Sequence, residues 1–185
     1  MKRFTSSLAA GAAAALLPAL LQSPAHAHAV AGGGALQGLL HPLLGVDHLL
    51  MLIAVGAAAA VLSSRLLIWA LCGGVAGALL GAAGLQLPGL ELLAALGVVA
   101  VGLWVVLARP LAEHYRPFPL QRLSGLLVAF VVMIHGVLHG LEAPAGASSL
   151  VWWVGTLLTS AGVSAGTALL LRRFTGARLT GQPLA

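Results

Sequence analysis

The chain has 185 residues, nine Lys and Arg against four Asp and Glu, and a net charge of +5; 60% of it is apolar and only 7% is charged. A water-soluble domain carries about 25% charged residues, so this chain has too few to coat a solvated surface. An ordinary cytosolic enzyme, a disordered protein and a nucleic-acid binder are excluded, and the mean hydropathy of +1.05 points to a membrane protein of one domain. The single cysteine, Cys72, allows no intrachain disulfide and reads as a small packing residue in an apolar run.

Met1-Lys2-Arg3 is a short basic start, Phe4 to Leu21 is rich in Ala and Leu, and Ser23-Pro24-Ala25-His26-Ala27 follows with small residues at 25 and 27. This is the pattern of a secretory signal peptide over residues 1–27, with cleavage after Ala27 and His28 as the new N-terminus. The alternative is an uncleaved anchor, but Pro24 and the A-x-A site have no use in a spanning helix. Either way residue 28 is delivered outside the membrane.

Residues 28–185 are predicted to be an all-α bundle of about five membrane spans. A spanning helix needs ~20 apolar residues, and such stretches run about 36–62, 66–85, 89–108, 123–141 and 149–171. Short connections separate them, and Pro88, Pro144 and the Pro-containing linker 109–122 mark breaks. Crossing five times from His28 leaves Arg65, Arg109, Arg116, Arg122, Arg172, Arg173 and Arg178 on one side and no Lys or Arg on the other. Positive charge is retained in the cytoplasm. The expected arrangement is therefore a multi-pass protein of the bacterial inner membrane, with the mature N-terminus outside and the C-terminus cytoplasmic. The spans are rich in small residues, and Gly77 and Gly81 form a G-x-x-x-G that lets helices approach closely. We read it as packing within one chain; the oligomeric state stays open.

Ionisable groups are costly inside a bilayer, so each one there is a functional candidate. His114 and Glu113 fall in the cytoplasmic linker. The topology puts the others at one depth: His41, Asp47 and His48 in the outer half of the first span, Glu91 at the outer edge of the third, and His135, His139 and Glu142 at the outer end of the fourth. His135 and His139, at i and i+4, share a helix face, and Glu142 continues the stripe. Gly136 and Gly140 remove bulk beside the imidazoles, so an ion or a second ligand-bearing helix can approach. On a straight helix His41 and His48 stand ~10 Å apart, too far to share an ion. Pro42 and Gly45 lie between them, however, and predict a broken or re-entrant helix of the kind on which transporters build ion sites. Asp47 is placed to ligate directly or to orient a neighbouring histidine. Glu91 either joins the ion or anchors its helix end by favouring the N-terminal dipole.

These residues carry a resemblance. His41, Asp47 and His48 reproduce the H-x5-D-H signature of the HupE/UreJ family, and Phe130 to Glu142 resembles its second signature, F-x-x-F/I-H-G-x-x-H-G-x-E. Glu91 falls where the family carries a Glu at the start of a middle span. Many members have a further His in each of the second signature and the last span, where this chain has Val137 or Leu138 and Leu157 to Ser160. The resemblance implies a membrane protein of nickel supply for hydrogenase or urease maturation. It also implies His41, Asp47 and His48 as the ion-recognition motif, with His135, His139 and Glu142 from the second signature.

The expected function is a divalent-metal permease. Imidazole with carboxylate suits Ni, Co, Cu and Zn, and nickel comes from the resemblance. The metal is cargo, no organic cofactor is expected, and metallochaperones on the cytoplasmic side are the expected partners. No P-loop is present, so the chain itself does not hydrolyse ATP. Two other readings stay open: an intramembrane metalloenzyme, since His-x-x-x-His with a nearby acid can hold a catalytic metal, and a metal-binding accessory protein that does not transport.

Overall fold

Every regular element in the described part of this computed structural model, residues 34–114, 118–146 and 148–175, is helical. The helices are α1 (Ala35–Leu44), α2 (Val46–Val61), α3 (Leu66–Ala82), α4 (Leu90–His114), α5 (Phe118–Glu142) and α6 (Ser148–Thr175). The expected signal peptide 1–27, His28, Arg116 and the tail with Arg178 lie outside the described residues.

Helices α4, α5 and α6 hold stretches long and apolar enough to cross a membrane, namely Leu90–Ala108, Pro119–Glu142 and Ser149–Phe174. The bent pair α1–α2 makes a fourth if counted as one span. The predicted second span is shorter than the sequence pattern: α3 is apolar but has 17 residues and ends at Ala82. The reason is a C-terminal cap. Gly84 turns into the left-handed region at φ 87, and the Gly84 and Leu85 N–H groups donate back to the Gly81 and Leu80 carbonyls. The predicted linker 109–122 is shorter too. Leu111, Ala112 and Glu113 are good helix formers, and α4 continues past Pro110 to His114 despite the backbone bond that proline removes.

The core forms where α2, α4 and α5 meet: Met51, Val55 and Ala58 pack with Val101, Ala108, Val128 and Val131. Helix α3 lies flat on α5. A Cβ at Gly73, Gly77 or Gly81 would run into the backbone of Ala129, Met133 or Val137, and one at Gly136 or Gly140 into the carbonyls of Gly74 or Ala78. The two backbones touch, as small residues in membrane helices allow, and the G-x-x-x-G does pack within the chain. Gly136 and Gly140 thus admit α3, which bears no His, Asp or Glu, and not a second helix carrying such ligands. Cys72 lies on the exposed side of α3 and is not a packing residue.

Helix α6 covers α1 and α2 and repairs their irregular backbone. Pro42 has no N–H, so the Gly38 carbonyl, four residues earlier, lacks its helical donor. The buried Thr156 hydroxyl donates to it at 3.1 Å. Ser164 donates to the Leu52 carbonyl. At the far end Arg172 donates to the Ala59 carbonyl, one of the groups that the C-terminus of α2 leaves unpaired. These contacts set a polarity: α2 carries His48 in its first turn and ends under Arg172, so histidines gather at one end of the bundle and arginines at the other. Thr156→Val keeps the shape and removes the donor. Leaving a buried carbonyl unpaired should destabilise the protein by about 1–2 kcal/mol, to be read as reduced thermal stability of the purified protein in detergent.

Candidate metal centre

The chain turns by 80° between α1 and α2. Pro42 weakens the last turn of α1, and Gly45, extended at φ −82 and ψ 116, separates the two helices. The turn decides the site. Residues 41 and 48, ~10 Å apart on a straight helix, have ring centroids 5.5 Å apart. Gly45 is required for space. A Cβ there would stand 2.6 Å from His48 Nδ1 and 3.2 Å from Asp47 Oδ1.

The end of α5 meets this corner. His41 Nε2 and His139 Nδ1 are hydrogen-bonded at 2.8 Å, and the His48 and His139 rings are 4.1 Å apart. His41, His48 and His139 each offer a nitrogen, and the three nitrogens lie within 4.8 Å of one another. Ligands held ~2.1 Å from one ion stand ~3–4 Å apart, so the three nitrogens lie near the spacing that a single cation requires. Glu142 Oε2 is 3.7 Å from His41 Nε2 on the exposed side.

Asp47 sits in the first turn of α2, where the helix dipole favours an anion. Its Oδ1 is 3.1 Å from His48 Nδ1. An ionised carboxylate only accepts, so Nδ1–H donates and Nε2 keeps its lone pair free. His48 Nε2 is buried and has no hydrogen-bond partner, the state a metal-ligating imidazole needs. Asp47 thus does the orienting that the sequence allowed it, while its other oxygen, Oδ2, faces His135 Nε2 at 4.0 Å.

Of the residues singled out in the sequence, His41, Asp47, His48, His135, His139 and Glu142 come together. Glu91 does not: it is exposed in the first turn of α4, and among the described residues no interaction joins it to the histidines. The third wall of the site comes from α6, which carries no titratable residue there. Buried Trp152 lies 4.9 Å from the His41 ring and 6.4 Å from the His139 ring. A cavity of about 310 Å³ starts at His48, His135 and His139 and continues past Thr156, Ser160 and Ser164. Periodicity alone gives little sign of this wall. Spaced four residues apart along α6, these three small hydroxyl residues are the one available hint.

An apolar helical bundle that gathers imidazoles and carboxylates at one end defines a membrane-embedded protein with a candidate metal-binding centre. The chain belongs to the HupE/UreJ family, described as HupE / UreJ protein, which matches residues 14–182. It is similar to Protein HupE of Rhizobium leguminosarum bv. viciae, 35% identical over 130 residues, a stretch that covers 67% of this chain and 63% of that protein. No solved structure matches. The family is linked to nickel accessory function for hydrogenase and urease. Its members are accessory or transport proteins and not enzymes, which sets the metalloenzyme reading aside.

Gly45→Ala tests the corner. The added methyl group displaces His48 or Asp47, and Co²⁺ binding to the purified protein, followed by absorbance, should weaken ~10-fold or more, as loss of a ligand-orienting partner does.

Proposed function

We propose that this chain is a permease for a divalent metal ion, with nickel the family's metal, supplying hydrogenase or urease maturation. The observation that carries the reading is the approach of His41, His48 and His139, from three separate helices, to within 4.8 Å of one another in the apolar bundle. Such groups are costly in a bilayer and mark ion pathways, and a broken helix is a common way to present them.

On this reading the bent pair α1–α2 is one span and α3 a short one, giving five with α4, α5 and α6. The arginine end faces the cytoplasm by the positive-inside rule, so the histidine end faces outward, behind a cleaved signal peptide over residues 1–27. Exposed Glu142 meets the hydrated cation first. His41, His48 and His139 then replace part of its water, and weak sites in series allow exit as well as entry. Release on the arginine side delivers the ion to cytoplasmic metallochaperones.

Uptake of radioactive Ni²⁺ by cells lacking other nickel importers tests the reading. His41→Ala, His48→Ala and Asp47→Ala should each lower uptake ~10-fold or more with the protein still present in the membrane. Uptake unchanged in all three defeats the assignment, and saturable binding without flux in proteoliposomes identifies a non-transporting accessory protein instead. Ligation needs deprotonated imidazole, so protonation competes with the metal. Uptake should therefore fall as the external pH is lowered, a profile measured with the same isotope.

A further inference from the structure

Of the three imidazoles that converge at the histidine end, His48 is oriented by a carboxylate, Asp47 Oδ1 at 3.1 Å from its Nδ1. His41 and His139 are tied to each other, Nε2 to Nδ1 at 2.8 Å. That bond needs a proton on one ring nitrogen and a lone pair on the other. A nitrogen that takes a cation has neither to give, so the bond cannot orient either ring through a ligating nitrogen. Metal-ligating histidines are normally held by a further group, and loss of that group costs ~10–100-fold in affinity.

Trp152 on α6 packs against both of these rings. It is buried, at 5% exposure. Its ring centroid lies 4.9 Å from that of His41 at an interplanar angle of 57°, and 6.4 Å from that of His139 at 61°. Both distances fall in the ~4.5–7 Å range of packed rings. The contact uses no proton and no lone pair of either imidazole, and an indole has no acceptor of its own to offer a cation. The backbone beneath it is fixed to α1, the helix that carries His41. A Cβ at Gly38 would run into the Trp152 carbonyl, and one at Gly155 would stand 2.8 Å from the Ala35 oxygen and the Leu39 nitrogen. One turn further along α6, Thr156 donates to the Gly38 carbonyl. The Trp153 ring packs on the indole at 4.9 Å, nearly perpendicular at 86°.

We infer that Trp152 is a positioning residue of the metal centre: its indole holds the His41 and His139 rings in the orientation that lets them share one cation with His48. Ring packing fixes two of the imidazoles as Asp47 fixes the third. Because it needs no proton at the ring nitrogens, it acts in the empty and the loaded site alike. Without the indole the two rings turn away, and the cation trades imidazole for water. The inference rests on the reading of His41, His48 and His139 as ligands of the transported ion.

Co²⁺ titration of the full purified chain, followed by its visible absorption, tests the role. Trp152→Leu keeps an apolar side chain and removes the ring. It should keep its helical circular dichroism and bind Co²⁺ ~10-fold or more weakly, with an altered absorption spectrum. Trp152→Phe keeps a ring and should restore most of the affinity and the wild-type spectrum. A Leu variant that binds as the wild type does, or a Phe variant that binds no better than the Leu variant, overturns the inference and leaves the permease reading in place. Wild-type protein that binds no Co²⁺ overturns both. The unmodified chain gives an independent measurement, which holds even where the Leu variant does not fold. Co²⁺ bound beside the indole should quench the tryptophan fluorescence, and saturating Co²⁺ that leaves it unchanged overturns the inference.

Discussion

The 80° corner between α1 and α2 is the constraint on which the rest of the site depends. A helix in hydrocarbon must satisfy its own backbone, and a break is tolerated only where other groups take over the lost hydrogen bonds. Pro42 and Gly45 create the break, and α6 answers it, with Thr156 donating to the carbonyl that Pro42 leaves without a partner. The same corner turns His41 toward His48 and leaves room for Asp47 to hold the His48 ring. A backbone irregularity and a ligand cluster are here one feature, because the residues that interrupt the helix lie between the residues that would bind the ion.

The second constraint is close packing without water exclusion. Helices in lipid gain little from hiding apolar surface and associate through backbone proximity. Helix α3 meets α5 through Gly73, Gly77 and Gly81 on one side and Gly136 and Gly140 on the other. That contact secures α5, the helix that carries His135, His139 and Glu142. The glycines beside the histidines therefore serve to place a scaffold helix, and the open side of the histidines faces α1, α2 and α6.

Much of the candidate site was legible before any coordinates. Intramembrane His, Asp and Glu are rare enough to place one at a time, and the arginine distribution assigns them a common end. His135 and His139 at i and i+4, and the Pro and Gly between His41 and His48, carry local geometry that survives tertiary packing. Glu91 illustrates where depth alone misleads: a residue at the right level of the membrane still has to face the right way, and it stands exposed on α4. The walls supplied by Trp152, Thr156 and Ser160 were not legible, because neutral side chains on an apolar helix bear no mark of the partner they face.

Hydropathy, charge placement and local backbone chemistry suffice for the class of protein, the order of the apolar helices, the break near Pro42 and the set of titratable residues. Which histidines share a centre, the place of Asp47 between two of them, and the closing of the site by α6 and not α4 are set by helix packing. Those are matters of which helix face turns toward which neighbour, and that choice is made by contacts between residues up to 118 positions apart, such as Thr156 and Gly38, which no local pattern encodes.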